Sequence, residues 1–178
     1  MTRSTLLLAL VACGGGSSDP TPSPDGPLPD GEAAPVTVYV VRHAETGSTA
    51  TDPPLDATGQ ARAQALATLL TDDNIGLVLA SQFMRTQLTG QPTAAAAGIS
   101  VTVHDVGNNA LTYGEELEVM VRAAGVGSAL IVGHSNTVPQ TVKAFTGVDV
   151  DPIAETEFDR LFTITVRGPN ADVVVGTY

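Results

Sequence analysis

Two histidines occupy the same kind of position in this 178-residue chain: His43 follows an apolar run at 36–41 and Arg42, and His134 follows an apolar run at 129–132 and Gly133. A third apolar run, 75–80, leads into a loop that ends on Arg85. An imidazole can attack an electrophile through one ring nitrogen while the other donates to a carbonyl that fixes the tautomer. Arginine adds a planar, permanently charged fork that matches phosphate oxygens two at a time, which lysine does not. Phosphoryl transfer needs positioning and charge stabilisation above all, so Arg42, His43, Arg85 and His134 form a chemically sufficient set if the fold gathers them. A lone histidine after a strand is more often a satisfied structural residue, so only the four together point to chemistry.

The elements that would gather them follow from the patterning. Residues 36–41 form a β-branched run that reads as a central strand buried on both faces. Residues 56–70 read as a helix and 75–80 as a strand; 84–97 as a helix that Pro92 should kink or divide; 99–103 as a strand and 115–124 as a helix; 129–132 as a strand. The tail, 161–166 and 173–175 around Gly168-Pro169-Asn170, reads as a hairpin at the sheet edge. This alternation predicts α/β layers, in which ligands lie outside the carboxyl ends of the strands, where Arg42-His43, the 81–85 loop and His134 would converge.

Four ordered stretches then resemble the histidine phosphatase superfamily, the phosphoglycerate mutase-like proteins. They are Arg42-His43-Ala44-Glu45-Thr46, the stretch 54–63 that opens Pro54-Leu55-Asp56, the stretch 81–89 with Arg85, and Gly133-His134-Ser135-Asn136-Thr137 within 131–139. Ala44 stands where the usual core is Arg-His-Gly, which would place an extra methyl beside the phosphate site. The resemblance implies a three-layer α/β/α sandwich with a mostly parallel sheet. It implies a metal-independent hydrolase of phosphomonoesters or phosphohistidine with no cofactor, acting on a phosphorylated small molecule or phosphoprotein. Within it His43 would be the nucleophile, Arg42 and Arg85 would bind phosphate, and His134 would stabilise the transferring phosphoryl group.

The leaving oxygen also needs a proton, and the family places its acid between the second arginine and the second histidine. Asp105, just beyond a strand, is the expected donor, with Glu115 and Glu116 as alternatives whose ordinary reading is attraction to a helix N-terminus. Glu45 is expected to orient its loop, His104 to be a surface residue, and Arg62 and Arg122 to lie on solvated helix faces. Three scattered histidines and no cysteine after Cys13 give no metal-ligand spacing. Residues 133–137 fail as a serine-hydrolase elbow because glycine is missing two positions after Ser135. The competing reading is a binding module that keeps the phosphate pocket with little turnover.

Outside 36–178 the composition changes. Arg3 precedes an apolar stretch, 6–12, of signal-peptide rather than membrane-spanning length, and residues 10–13 resemble the bacterial lipoprotein box ending on Cys13, the sole cysteine. Residues 1–12 are therefore expected to be a signal peptide. Residues 13–35, with half of the twelve prolines, are expected to be a semi-stiff linker behind a lipidated Cys13. The expected location is the bacterial cell envelope. A formal net charge of -11 argues against nucleic acid as a partner.

Overall fold

The computed structural model describes residues 34–47 and 50–178; the signal peptide, Cys13 and nearly all of the linker expected from the sequence lie outside them. The described chain runs β1 (Val36–Arg42), α1 (Ala57–Leu69), β2 (Leu77–Ala80), α2 (Met84–Ala96), β3 (Val101–Val103), α3 (Ala110–Ala124), β4 (Ser128–Gly133), α4 (Thr137–Thr146), β5 (Arg160–Arg167) and β6 (Asn170–Thr177). Six strands form one sheet in the order β3-β2-β4-β1-β5-β6. The first four are parallel, and the β5–β6 hairpin extends the sheet antiparallel from β1. Gly168, at φ 53°, takes the left-handed conformation that the tight turn needs.

Period-2 alternation distributes each strand between two cores. Val38 and Val40 of β1, Ala129 and Ile131 of β4, and Phe162 and Ile164 of β5 meet Tyr113, Leu117 and Val121 of α3 and Val138, Val142 and Phe145 of α4. Val41, Leu130, Val132 and Val78 point the other way, toward Leu66 of α1 and Ala94 of α2. Helices therefore cover both faces, which is the expected sandwich.

Three local expectations change. Helix α2 runs unbroken through Pro92, because only one backbone hydrogen bond is lost there while Thr86, Thr89, Gly90, Thr93 and Ala94 hold the helix buried on both sides of it. Helix α3 begins at Ala110, not near Glu115: Asn109 caps it, its side chain accepting from Leu111 N and Thr112 N. Helix α4, to which no sequence pattern is assigned, begins at Thr137, three residues after His134.

Candidate active site

Register brings the histidines together. β1 and β4 pair in parallel with Arg42 opposite Gly133, and His43 N–H donates to Gly133 O at 2.9 Å, so His43 and His134 leave adjacent strand ends. Their rings lie 5.4 Å apart between centroids. β2 pairs with the other side of β4, with Ala80 opposite Val132, which puts Ser81 beside His134. Arg85 then sits in the first turn of α2. Arg42, His43, Gln82, Phe83, Arg85, Val106, Gly107, His134, Ser135, Asn136, Thr137 and Glu155 line one cleft of ≈ 400 Å³. Depressions of similar size along α2 hold no ionisable side chain.

The His43 ring is 2.8 Å from Ala44 O through Nδ1. A carbonyl only accepts, so Nδ1 carries the hydrogen and Nε2 keeps its lone pair. Ala44 does not line the cleft; its methyl packs with Leu55 and Ala63, and its N–H donates to Thr89 Oγ1 at 2.9 Å. The extra methyl expected beside the phosphate site is thus absorbed by a small apolar cluster.

His134 takes the opposite tautomer. Arg85 donates toward Nδ1 at 3.5 Å, so Nε2–H donates to Ser81 Oγ at 2.9 Å. Ser81 Oγ–H donates to Thr86 Oγ1 at 2.8 Å, and Thr86 Oγ1–H donates to Phe83 O at 2.7 Å. Ser81 and Thr86 are fully buried, and sequence reasoning missed both because a hydroxyl's partner is a tertiary fact.

Arg42, 5% exposed, is committed on several sides: it donates to Ala154 O at 2.8 Å, to Glu157 O at 3.1 Å and to Glu155 Oε2 at 2.8 Å, while its buried Nε has no partner among the described residues. Phe158 lies 4.3 Å from the guanidinium carbon. Arg85 pairs with Asp52 Oδ1 at 3.6 Å and lies 4.5 Å from the Phe83 ring centre.

Asp105 is exposed and does not line the cleft, although Val106 and Gly107 do. Its carboxylate accepts from Gly107 N at 2.7 Å and from Gln82 Nε2 at 3.4 Å. Glu115 and Glu116 also lie outside the cleft. Glu116 pairs at 2.7 Å with His104, which stacks on Tyr113. Arg62 is no solvated helix residue: its guanidinium grips the Glu45 carboxylate at 2.7 Å to 2.9 Å, fixing the loop after His43. Gly59 makes that approach possible, since a Cβ there would stand 2.2 Å from Glu45 O. Arg122 pairs with Glu118 on an exposed face. Among the described residues no three His, Cys, Asp or Glu side chains converge as a metal-binding group.

Burial is the main force holding both histidines neutral. It lowers His43 to about 4, with Arg42 and Arg85 adding to the effect and the Ala44 carbonyl opposing it. His134 is lowered to about 3 by burial first, then by Arg85, His43 and Arg42. Unfolded histidine takes a proton below about 6.5, so between there and about 4 the unfolded chain binds more protons than the folded one. Stability should be complete above that window and fall as pH drops through it, by up to roughly 1.4 kcal/mol per pH unit for each histidine. Urea midpoints at pH 7 and pH 5 measure this. A fall that is equally steep in a His43→Ala, His134→Ala double variant would count against the assignment.

No curated protein sequence matches the chain. Solved structures do. The protein histidine phosphatase SixA complexed with tungstate has a TM-score of 0.64 at 18% identity, with 80% of this chain and 97% of that one covered. A mycobacterial glucosyl-3-phosphoglycerate phosphatase has 0.64 at 12% identity, covering 81% and 98%. A structure described as a candidate phosphohistidine phosphatase SixA from Agrobacterium tumefaciens has 0.61 at 24% identity, covering 80% and 98%. These likenesses establish a shared fold. Residues 38–106, which hold Arg42, His43 and Arg85, match the model of the histidine phosphatase superfamily, branch 1.

Proposed function

We propose that this domain hydrolyses phosphomonoesters, or the phosphoramidate of phosphohistidine, through a phosphohistidine intermediate on His43. The observation that carries the reading is the tautomer of His43. Its Nδ1–H is fixed on Ala44 O, so Nε2 is left as a nucleophile in a cleft lined by Arg42, Arg85 and His134. Nε2 attacks phosphorus as the leaving oxygen departs opposite. The two guanidinium groups offset charge on the equatorial oxygens. His134 faces Arg85 through Nδ1, which becomes a donor to the phosphoryl group when the incoming dianion favours the imidazolium. Water then breaks the P–N bond. The names of the similar structures, a protein histidine phosphatase and a glucosyl-3-phosphoglycerate phosphatase, fit one substrate class each. The test is p-nitrophenyl phosphate hydrolysis by the full-length protein with chelator present. Phosphate-dependent stabilisation without turnover would favour the binding module instead.

Asp105 is our proposed source of the leaving-group proton, reached past Gln82 at the cleft edge. Asp105→Asn should then lower kcat/KM for an alkyl phosphate by about 10²-fold while sparing p-nitrophenyl phosphate, whose leaving group needs no proton. Equal loss on both substrates would remove Asp105 from that role.

We also propose that Cys13 is acylated and anchors the domain to the cell envelope, on the strength of the lipoprotein-like box at 10–13. Cys13→Ser should move the protein from the membrane fraction to the soluble one and abolish labelling by radioactive palmitate. Unchanged retention and label would end that proposal.

A further inference from the structure

Both arginines of the cleft already hold a carboxylate. Glu155 Oε2 lies 2.8 Å from Arg42, its Oε1 accepts from Ser135 Oγ at 2.8 Å, and all three residues line the same cleft as His43. Asp52 Oδ1 stands 3.6 Å from Arg85 while accepting from Met84 N at 2.8 Å, where Phe83 supplies no side-chain cap to α2. The charged groups therefore cancel before a substrate arrives: two guanidinium groups against two carboxylates, with two buried neutral histidines between them. A pocket built to gather polyanions would leave its cations uncompensated.

We infer that Glu155, backed by Asp52, is a charge filter at the mouth of the cleft, selecting phosphoryl compounds whose leaving group carries positive charge and rejecting those with a second anionic group. This rests on the phosphatase reading above and names the substrate class of the same site. A bound phosphoryl dianion must share Arg42 with Glu155 or displace its carboxylate. The Glu155 side chain is 80% exposed, so it can swing aside, but Ala154 O and Glu157 O remain bonded to Arg42 on either side of it. The displaced carboxylate stays within a Debye length of about 8 Å of the leaving group. There it attracts an ammonium and repels a carboxylate or second phosphate. The chain's formal charge of -11 acts in the same direction at longer range.

The test compares phosphocholine, glycerol phosphate and 3-phosphoglycerate, whose alkoxide leaving groups are all strongly basic and differ mainly in charge. With the full-length protein at low salt, kcat/KM should fall in that order, with about a tenfold or larger ratio between first and last that shrinks on adding salt. Glu155→Gln should bring the ratio to within about twofold, mainly by lowering KM for 3-phosphoglycerate. Asp52→Asn, which keeps an oxygen to cap α2, should reduce the ratio less. A proton donor at position 155 would instead slow all three alkyl esters alike and leave the ratio intact. A wild-type ratio of one or below, or the same ratio in Glu155→Gln, overturns the filter. If no ester turns over, the phosphomonoesterase form of that reading fails by itself; the filter is then read from thermal stabilisation by phosphocholine against 3-phosphoglycerate, where the same order and the same collapse in the variants are required. Should Glu155→Gln not fold, Asp52→Asn and the salt dependence of the wild-type ratio decide.

Discussion

His43→Ala is expected to reduce hydrolysis of p-nitrophenyl phosphate by at least about 10⁴-fold, a loss of roughly 5 kcal/mol in transition-state stabilisation. The proposed reaction passes through a bond between phosphorus and His43 Nε2, and no other described side chain in the cleft offers an uncommitted nitrogen lone pair in the same setting. His134 has its Nε2 on Ser81 and its Nδ1 toward Arg85. The variant should still fold, since the His43 backbone N–H to Gly133 O is kept, and it should still be stabilised by phosphate or tungstate through the two arginines. Wild-type protein quenched during turnover should carry acid-labile, alkali-stable phosphate that the variant lacks. Full activity in His43→Ala would falsify the covalent mechanism.

Replacing either arginine with lysine should lower kcat/KM by about 10²- to 10³-fold, because a flexible ammonium cannot reproduce the fixed, planar donors of a guanidinium. The two positions should differ in a second measurement. Arg42 also clamps the segment after α4 through Ala154 O and Glu157 O, so Arg42→Lys should lower the melting temperature as well as activity. Arg85 has one ion pair with the half-exposed Asp52, and Arg85→Lys should cost activity with little change in melting temperature. Equal thermal effects at both positions would contradict this division of labour between catalysis and folding.

The sequence by itself determined the parallel core and the histidine–arginine set. Hydrophobic runs of strand length are a local signal, and each leads to its chemistry: Arg42-His43 at the end of β1, the loop to Arg85 after β2, Gly133-His134 at the end of β4. Once the strands are parallel neighbours, those ends coincide. Local signals were weaker where tertiary packing overrides them. Pro92 is a helix breaker by its backbone chemistry, yet the buried threonines and Gly90 around it keep α2 whole. The start of α3 was hidden because Asn109 lies in a polar stretch, 105–109, where one cap among several candidates is not distinguishable without the packed helix.

Only the tertiary structure decided how the site is surrounded. Glu155 is 113 residues from Arg42 in sequence, in a segment with no periodicity of its own, and nothing local says that its carboxylate will meet that guanidinium. Arg62 reads as an exposed helix residue until Gly59 lets Glu45 approach α1. Asp105 follows a strand, but only the packed loop shows that its carboxylate accepts from Gly107 N and Gln82 Nε2 at the edge of the cleft that Val106 and Gly107 line. The physical reason is common to all three. Period and propensity act over one turn or one strand, whereas a charged side chain chooses its partner by distance and desolvation across the fold, and those are set only when both cores have packed.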